Sequence, residues 1–236
     1  MLVVSEVRKS FGGLEALKGI SLRVPPKSIL GIMGMNGSGK TTLLNCINGI
    51  YAADHGQISL HDRSLIGCAP AQAAAQGVGR TFQVPRLFPR LTLDENLEVP
   101  LIPRGISDVE VRARSDFWLE RVGLARLRHN YAAELSGGQQ KLLELARIMV
   151  TRPRLVLLDE PFAGVNPELA LRMIEVIREI PETHDCSIVL VSHDLTSIYQ
   201  LSNHIIVMNE GRIISEGTAD HVRRDSTVIE AYLGVD

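Results

Sequence analysis

Three short stretches of this chain have residue types and spacings that could do chemistry. The first, Gly34-Met35-Asn36-Gly37-Ser38-Gly39-Lys40-Thr41, fits the pattern GxxxxGK[ST] in full. Its glycines let successive backbone N–H groups turn inward and approach phosphate oxygens closely. Lys40 suits the β- and γ-phosphates of a nucleotide, and the Thr41 hydroxyl suits Mg²⁺. The second is Asp159-Glu160, at the end of the run Leu155–Pro161, LVLLDEP. Successive side chains at a strand end point in different directions. Asp159 can therefore face Mg²⁺ while Glu160 polarises an attacking water. Phosphoryl transfer to water asks for these parts in place and for little covalent chemistry. The third, Leu135–Gln140, reads LSGGQQ and lies between the other two. A second glycine-rich segment so far from the first suggests a second copy of the chain closing over the nucleotide, an ATP-driven clamp.

These residues need a scaffold, and the chain supplies one. Ile29–Met33, Leu155–Leu158, Ser187–Val191 and Ile205–Met208 are short runs of Val, Ile and Leu separated by helical stretches. Continuous apolar runs of this kind predict strands buried on both faces of a parallel sheet. The phosphate loop follows the first run and opens a helix over Lys40–Asn48, the context its chemistry requires. A second helix is predicted over Gln139–Thr151. A third starts at Pro167 with Asn166 as its N-cap, lines up Leu169, Met173, Ile177 and Ile180, and is expected to stop at Pro181. Leu2–Val7, Ile20–Val24 and Gln57–Leu60 read as a separate antiparallel patch, and Val78–Phe82 as a short strand ending at Gln83. From about Val84 to Ala133 strand signals vanish. Arginines there, from Arg104 to Arg128, alternate with Asp108, Glu110, Asp116 and Glu120, which reads as a solvated helical face rather than a phosphate-binding stripe. The class is α/β, with a mainly parallel sheet, an N-terminal antiparallel patch and a helical insertion.

Bulk properties narrow the field. The 236 residues can bury one sizeable core. A formal net charge of −2 gives no basic footprint for nucleic acid. Cys46, Cys68 and Cys186 are scattered and read as reduced structural thiols. No apolar run approaches the roughly 18 residues of a spanning helix, and the opening MLVVSEVRKSF alternates like an edge strand. The chain is expected not to cross a membrane itself, though it can sit on one. There is no NKxD guanine motif, which argues against a GTPase.

Other residues are ambiguous alone. His193 follows the run Ser187–Val191; it could sense a γ-phosphate, but by itself reads more readily as a satisfied structural histidine. Gln83 alone signals nothing. Phe11, ahead of Gly12-Gly13, could stack on a base or simply pack.

In this order the motifs resemble the ATP-binding-cassette (ABC) ATPases, over essentially the whole chain, 1–236, with a helical subdomain at about 84–150 inserted in the nucleotide-binding core. Gly34–Thr41 looks like the family's Walker A loop, Leu155–Glu160 its Walker B strand and Leu135–Gln140 its signature. Gln83 falls at the Q-loop, His193 at the switch histidine and Ala163–Asn166 at the D-loop. The resemblance implies a P-loop NTPase fold, ATP and Mg²⁺ as ligands, and Glu160, His193 and Lys40 as catalytic residues. It implies nucleotide contacts from Phe11, Gly34, Met35, Asn36, Gly37, Ser38, Gly39, Lys40, Thr41, Thr42 and Gln83. Ser136, Gly137, Gly138 and Gln139 would reach the nucleotide of a head-to-tail partner, and Thr41, Gln83 and Asp159 would hold the metal.

A closer resemblance is carried by Phe11-Gly12-Gly13, Gly79–Gln83, Arg86–Pro89, Leu91-Thr92 and the tail Val228–Gly234. These look like the ATPase subunits of branched-chain (hydrophobic) amino acid importers and their urea and amide relatives. Asn166 is usual in that subfamily; Ser192 stands where it often carries Glu. The implied partners are two transmembrane permease subunits, an external solute-binding protein, and a sister ATPase or second copy of the chain, at the cytoplasmic face of the inner membrane. The competing readings are an export cassette, and a soluble ABC ATPase acting on DNA or ribosomes, whose long coiled coils or tandem cassettes this chain lacks.

Overall fold

The computed structural model describes residues 1–233. β1 (Leu2–Phe11) and β2 (Leu14–Val24) form a hairpin, followed by β3 (Ile29–Met33) and α1 (Lys40–Ile47). β4 (His55–Leu60), β5 (Arg63–Ser64), α2 (Pro70–Ala75) and β6 (Val78–Arg80) come next. The following three elements are helical: α3 (Leu93–Glu98), α4 (Asp108–Arg121) and α5 (Gly137–Met149). β7 (Leu155–Asp159), α6 (Pro167–His184), β8 (Ser187–Val191), α7 (Leu195–Leu201) and β9 (His204–Asn209) then alternate. β10 (Arg212–Gly217), α8 (Ala219–Arg224) and α9 (Ser226–Leu233) complete the described chain. Gly234, the last residue of the tail motif, lies outside the described residues.

Two sheets result. One is antiparallel, ordered β2-β1-β4-β5; the other is ordered β10-β9-β3-β8-β7-β6. In the second, β9, β3, β8, β7 and β6 run parallel and β10 pairs antiparallel at the edge. The continuous apolar runs explain why. Along β7, Val156 and Leu158 enter the core shared with α5 and α6, whereas Leu155 and Leu157 enter the core shared with α1 and the antiparallel sheet. β3 and β8 divide in the same way, Ile29 and Met33 against Leu30 and Ile32, Ile188 and Leu190 against Val189 and Val191. A strand whose alternate side chains all bury has no polar face to spare.

Several expected boundaries move, among them β1, which runs past Val7 to Phe11, and β2, which starts at Leu14 rather than Ile20. α6 does not stop at Pro181 but runs on to His184, ending at Asp185 in a left-handed conformation. Pro181 forfeits one backbone hydrogen bond, yet its buried ring continues the apolar stripe of Ile177 and Ile180. β6 ends at Arg80, not at Phe82. Thr81 still donates its N–H to the Leu157 carbonyl, but its Oγ1 takes the Asp159 N–H, and the Phe82 N–H turns away to the Glu144 carboxylate. α5 starts two residues early because Ser136 and Gln139 close a reciprocal capping box around its first turn. Of the arginines from Arg104 to Arg128, Arg114, Arg121 and Arg128 are engaged by carboxylates: Arg128 holds Asp94 at 2.8 Å and Asp116 at 2.6 Å, Arg114 holds Glu110 at 2.5 Å, and Arg121 pairs with Glu179.

Candidate active site

The carboxyl ends of β3, β7 and β8 open on one side of the parallel sheet, where open α/β sheets bind their ligands. A cleft of about 940 Å³ lies there. Gly34, Met35, Asn36, Gly37, Gly39, Lys40, Thr41 and Thr42 line it, together with Phe11, Gln83, Asp159, Glu160 and His193. Residues scattered over most of the sequence thus share one cavity.

The phosphate loop has the shape its sequence predicts. Gly34 has φ of +150°, and a Cβ there would sit 2.1 Å from the Met208 carbonyl oxygen. Gly37, at φ +82°, has open space where a side chain would be. The Lys40 ammonium folds into the loop, donating to the Gly34 carbonyl at 2.8 Å, the Met35 carbonyl at 2.9 Å and Ser38 Oγ at 3.3 Å. Burial pushes the Lys40 pKa down, opposed by the nearby charges of Glu160 and Asp159. A cation held in a glycine cradle at the start of α1 fits a polyphosphate. Ser38 is itself buried behind the loop and does not line the cleft.

Asp159 is 5% exposed. Arg80, also buried, reaches its Oδ2 at 3.2 Å and bonds Asn45 Oδ1 at 2.6 Å. Burial pushes the Asp159 pKa up, and the Arg80 guanidinium pulls against it. Among the described residues no group of three or more His, Cys, Asp and Glu is placed to hold a metal. One carboxylate (Asp159) with a hydroxyl (Thr41) and an amide oxygen (Gln83) is a donor set of hard oxygens. It fits Mg²⁺, which takes few protein ligands and shares the rest with phosphates and water.

Glu160 turns the chain out of β7 with φ of +50°, a region where non-glycine residues are uncommon. Its Oε2 lies 2.7 Å from His193 Nδ1 and accepts the His193 backbone N–H at 3.2 Å. The Asp194 side chain caps α7 just beyond, which fixes His193 between strand and helix. Phe11 sits at the tip of the β1–β2 hairpin, half exposed, with its ring edge-on to Tyr51 at 5.0 Å.

The glycine-rich segment behaves differently. Ser136 and Gly137 are exposed, Gly138 is buried, and none of Ser136–Gln139 lines the cleft. Several lining residues escaped sequence reasoning, among them Lys18, Glu210 and Tyr232. Arg80 also carried no usable signal in one sequence, since only its partner Asp159, 79 residues away, gives it meaning.

The sequence model of the ABC transporter family matches residues 17–163, and that of the branched-chain amino acid ATP-binding cassette transporter matches 212–236. The chain belongs to the ABC transporter family. This cassette is 38% identical to the high-affinity branched-chain amino acid transport ATP-binding protein LivG of Escherichia coli strain K12, over 99% of this chain and 98% of the relative. Among solved structures it is similar to the ATP-binding cassette MJ1267 in its ADP conformation, with a TM-score of 0.87 and 32% identity, covering 100% of this chain and 99% of that one. It is also similar to the dimeric post-hydrolysis state of the cassette MJ0796 bound to ADP and Pi, with a TM-score of 0.84 and 26% identity over 93% of this chain and 99% of that one. The cassette is thus an ATPase of the ABC type. No helix among the described residues is long and apolar enough to cross a membrane.

Proposed function

We propose that this cassette powers an importer of branched-chain or other hydrophobic amino acids by hydrolysing ATP at the cleft. The observation that carries the reading is the convergence of Lys40, Gln83, Asp159, Glu160 and His193 on one cavity, while Ser136 and Gly137 stand exposed away from it. One set of residues lines the cleft, and Ser136 and Gly137 face outward. A head-to-tail pair of cassettes would complete both sites, with ATP stabilising the pair and hydrolysis releasing it.

Within the cleft, the loop N–H groups and Lys40 bind and orient the phosphates. Phe11 supports the base. Glu160 orients and deprotonates the attacking water, and His193 holds the Glu160 carboxylate in place. Thr41, Asp159 and Gln83 would hold Mg²⁺, whose contribution when bound is to neutralise charge on the phosphate oxygens. The segment of about 84–150, linked to the nucleotide site through Gln83, is the part expected to pass closure to the transmembrane subunits. The substrate class rests on the match at 212–236 and on the LivG relative. A sister ATPase or second copy, a solute-binding protein and an inner-membrane site follow from the same reading.

The test is to recover the tagged chain from its native membranes in mild detergent and identify what accompanies it. Two multi-spanning proteins are expected. Recovery with cytosolic proteins or nucleic acid alone would overturn the transporter reading and leave the ATPase site standing.

A further inference from the structure

α5 begins at the exposed Ser136 and carries two charged side chains inward. Lys141 is 8% exposed and Glu144 is 1% exposed, one turn apart on the same side of the helix. Backbone groups answer both charges. The Lys141 ammonium donates to the Glu160 carbonyl at 2.8 Å and to the Ala163 carbonyl at 2.7 Å. The Glu144 carboxylate accepts the Arg86 N–H at 2.8 Å and the Phe82 N–H at 3.2 Å.

The two grips fall on the two loops that matter. Gln83 lies between Phe82 and Arg86, inside the span that Glu144 clamps. Lys141 clamps the turn made by Glu160, at the point where φ of +50° swings its carbonyl out of the sheet. The same carbonyl also accepts the Ala163 N–H at 3.3 Å. Buried charges are costly to desolvate even when their bonds are made, so apolar side chains of similar volume would often fold with no loss of stability. What the charges add is a fixed relation between two loops that share no strand.

We propose that Lys141 and Glu144 are positioning residues for hydrolysis, through which α5 holds the Gln83 segment and the Glu160 turn as one unit. A displacement of the Ser136 end of α5, or of the Gln83 segment, then moves the Glu160 carboxylate with it. The inference rests on the assignment of Glu160 as the base.

The test uses the purified full chain at a concentration that supports hydrolysis, as wild type, Lys141→Met, Lys141→Arg, Glu144→Gln and the Lys141→Met/Glu144→Gln double variant, with Glu160→Gln as control. Turnover is followed against ATP concentration, and nucleotide affinity is read with a fluorescent ADP analogue. Lys141→Met and Glu144→Gln should each lower kcat by roughly tenfold or more, while KM and ADP affinity stay within about twofold. Lys141→Arg should recover most of the loss, and the double variant should lose less than the product of the single losses. Unchanged kcat in both single variants, a loss confined to KM, or full multiplicativity would overturn the proposal. If Lys141→Met does not fold, the kcat-against-KM split in Glu144→Gln and the turnover of Lys141→Arg decide it. Normal hydrolysis by Glu160→Gln would remove the base assignment and this inference together. Loss in Glu160→Gln without loss at Lys141 or Glu144 would remove this inference alone.

Discussion

His193 grips the Glu160 carboxylate twice, through Nδ1 at 2.7 Å and through its backbone N–H at 3.2 Å, both to Oε2. The side chain of His193 is 70% exposed and that of Glu160 13%. The histidine therefore reaches in from the rim of the cleft to fix a carboxylate set deeper. The Ser192 hydroxyl adds a third contact to the same oxygen, at 3.4 Å.

Two substitutions separate the partners. Glu160→Gln should lower kcat by on the order of 10²–10⁴-fold while ATP still binds, because general-base catalysis is worth that much. His193→Ala should cost less, since the backbone N–H still anchors Oε2. Steady-state hydrolysis with a parallel binding assay measures both. A larger loss in His193→Ala than in Glu160→Gln would reverse their roles.

Lys40→Ala removes the cation from the loop. Charge-assisted hydrogen bonds contribute roughly 1.5–3 kcal/mol each, so ATP affinity should fall about tenfold or more. Titration calorimetry at fixed ionic strength reads this directly. Unaltered affinity would mean that the ammonium stays on its three loop oxygens when nucleotide binds.

The Arg80–Asp159 pair predicts a stability defect distinct from a catalytic one. Both side chains are buried, 3% and 6% exposed. Arg80→Ala leaves an uncompensated carboxylate in the interior, and breaking such a pair costs about 3–5 kcal/mol. Urea unfolding should show that loss. A double Arg80→Met/Asp159→Leu variant should recover much of the stability and none of the hydrolysis.

The thiols make a pH prediction. Burial pushes Cys46 up to about 11 and Cys186 up to about 12. Neutral thiols are thus favoured in the folded state. The stability they contribute is complete below the ordinary thiol pKa of about 8.5 and is lost as pH rises through about 11 to 12. Thermal unfolding from pH 8 to 11 should show a falling midpoint, and Cys186→Ala should flatten the slope. At pH 8 a thiol reagent should label Cys68, which is partly exposed, and reach the other two only after denaturation.

The sequence by itself determined the chemistry and the scaffold class. Glycine spacing before Lys40, an acidic pair after an apolar run and four such runs are local patterns, and local sterics and burial leave them little choice of structure. It also determined the cap at Asn166, whose side chain accepts the Leu169 N–H at 2.9 Å as its type and place require. The end of α6 was not local. Pro181 reads as a stop, and only packing of its ring in the core explains the extra turn. Gln83 and His193 were weak alone for the same reason, since each takes its meaning from neighbours far away in sequence. The tertiary structure alone decided which buried charges meet which backbone groups. Lys141 and Glu144 reach their partners across gaps of 19 and 22 residues and of 58 and 62 residues. No periodicity encodes such distances; they are set when the sheet closes and α5 is pressed against the turn at Glu160.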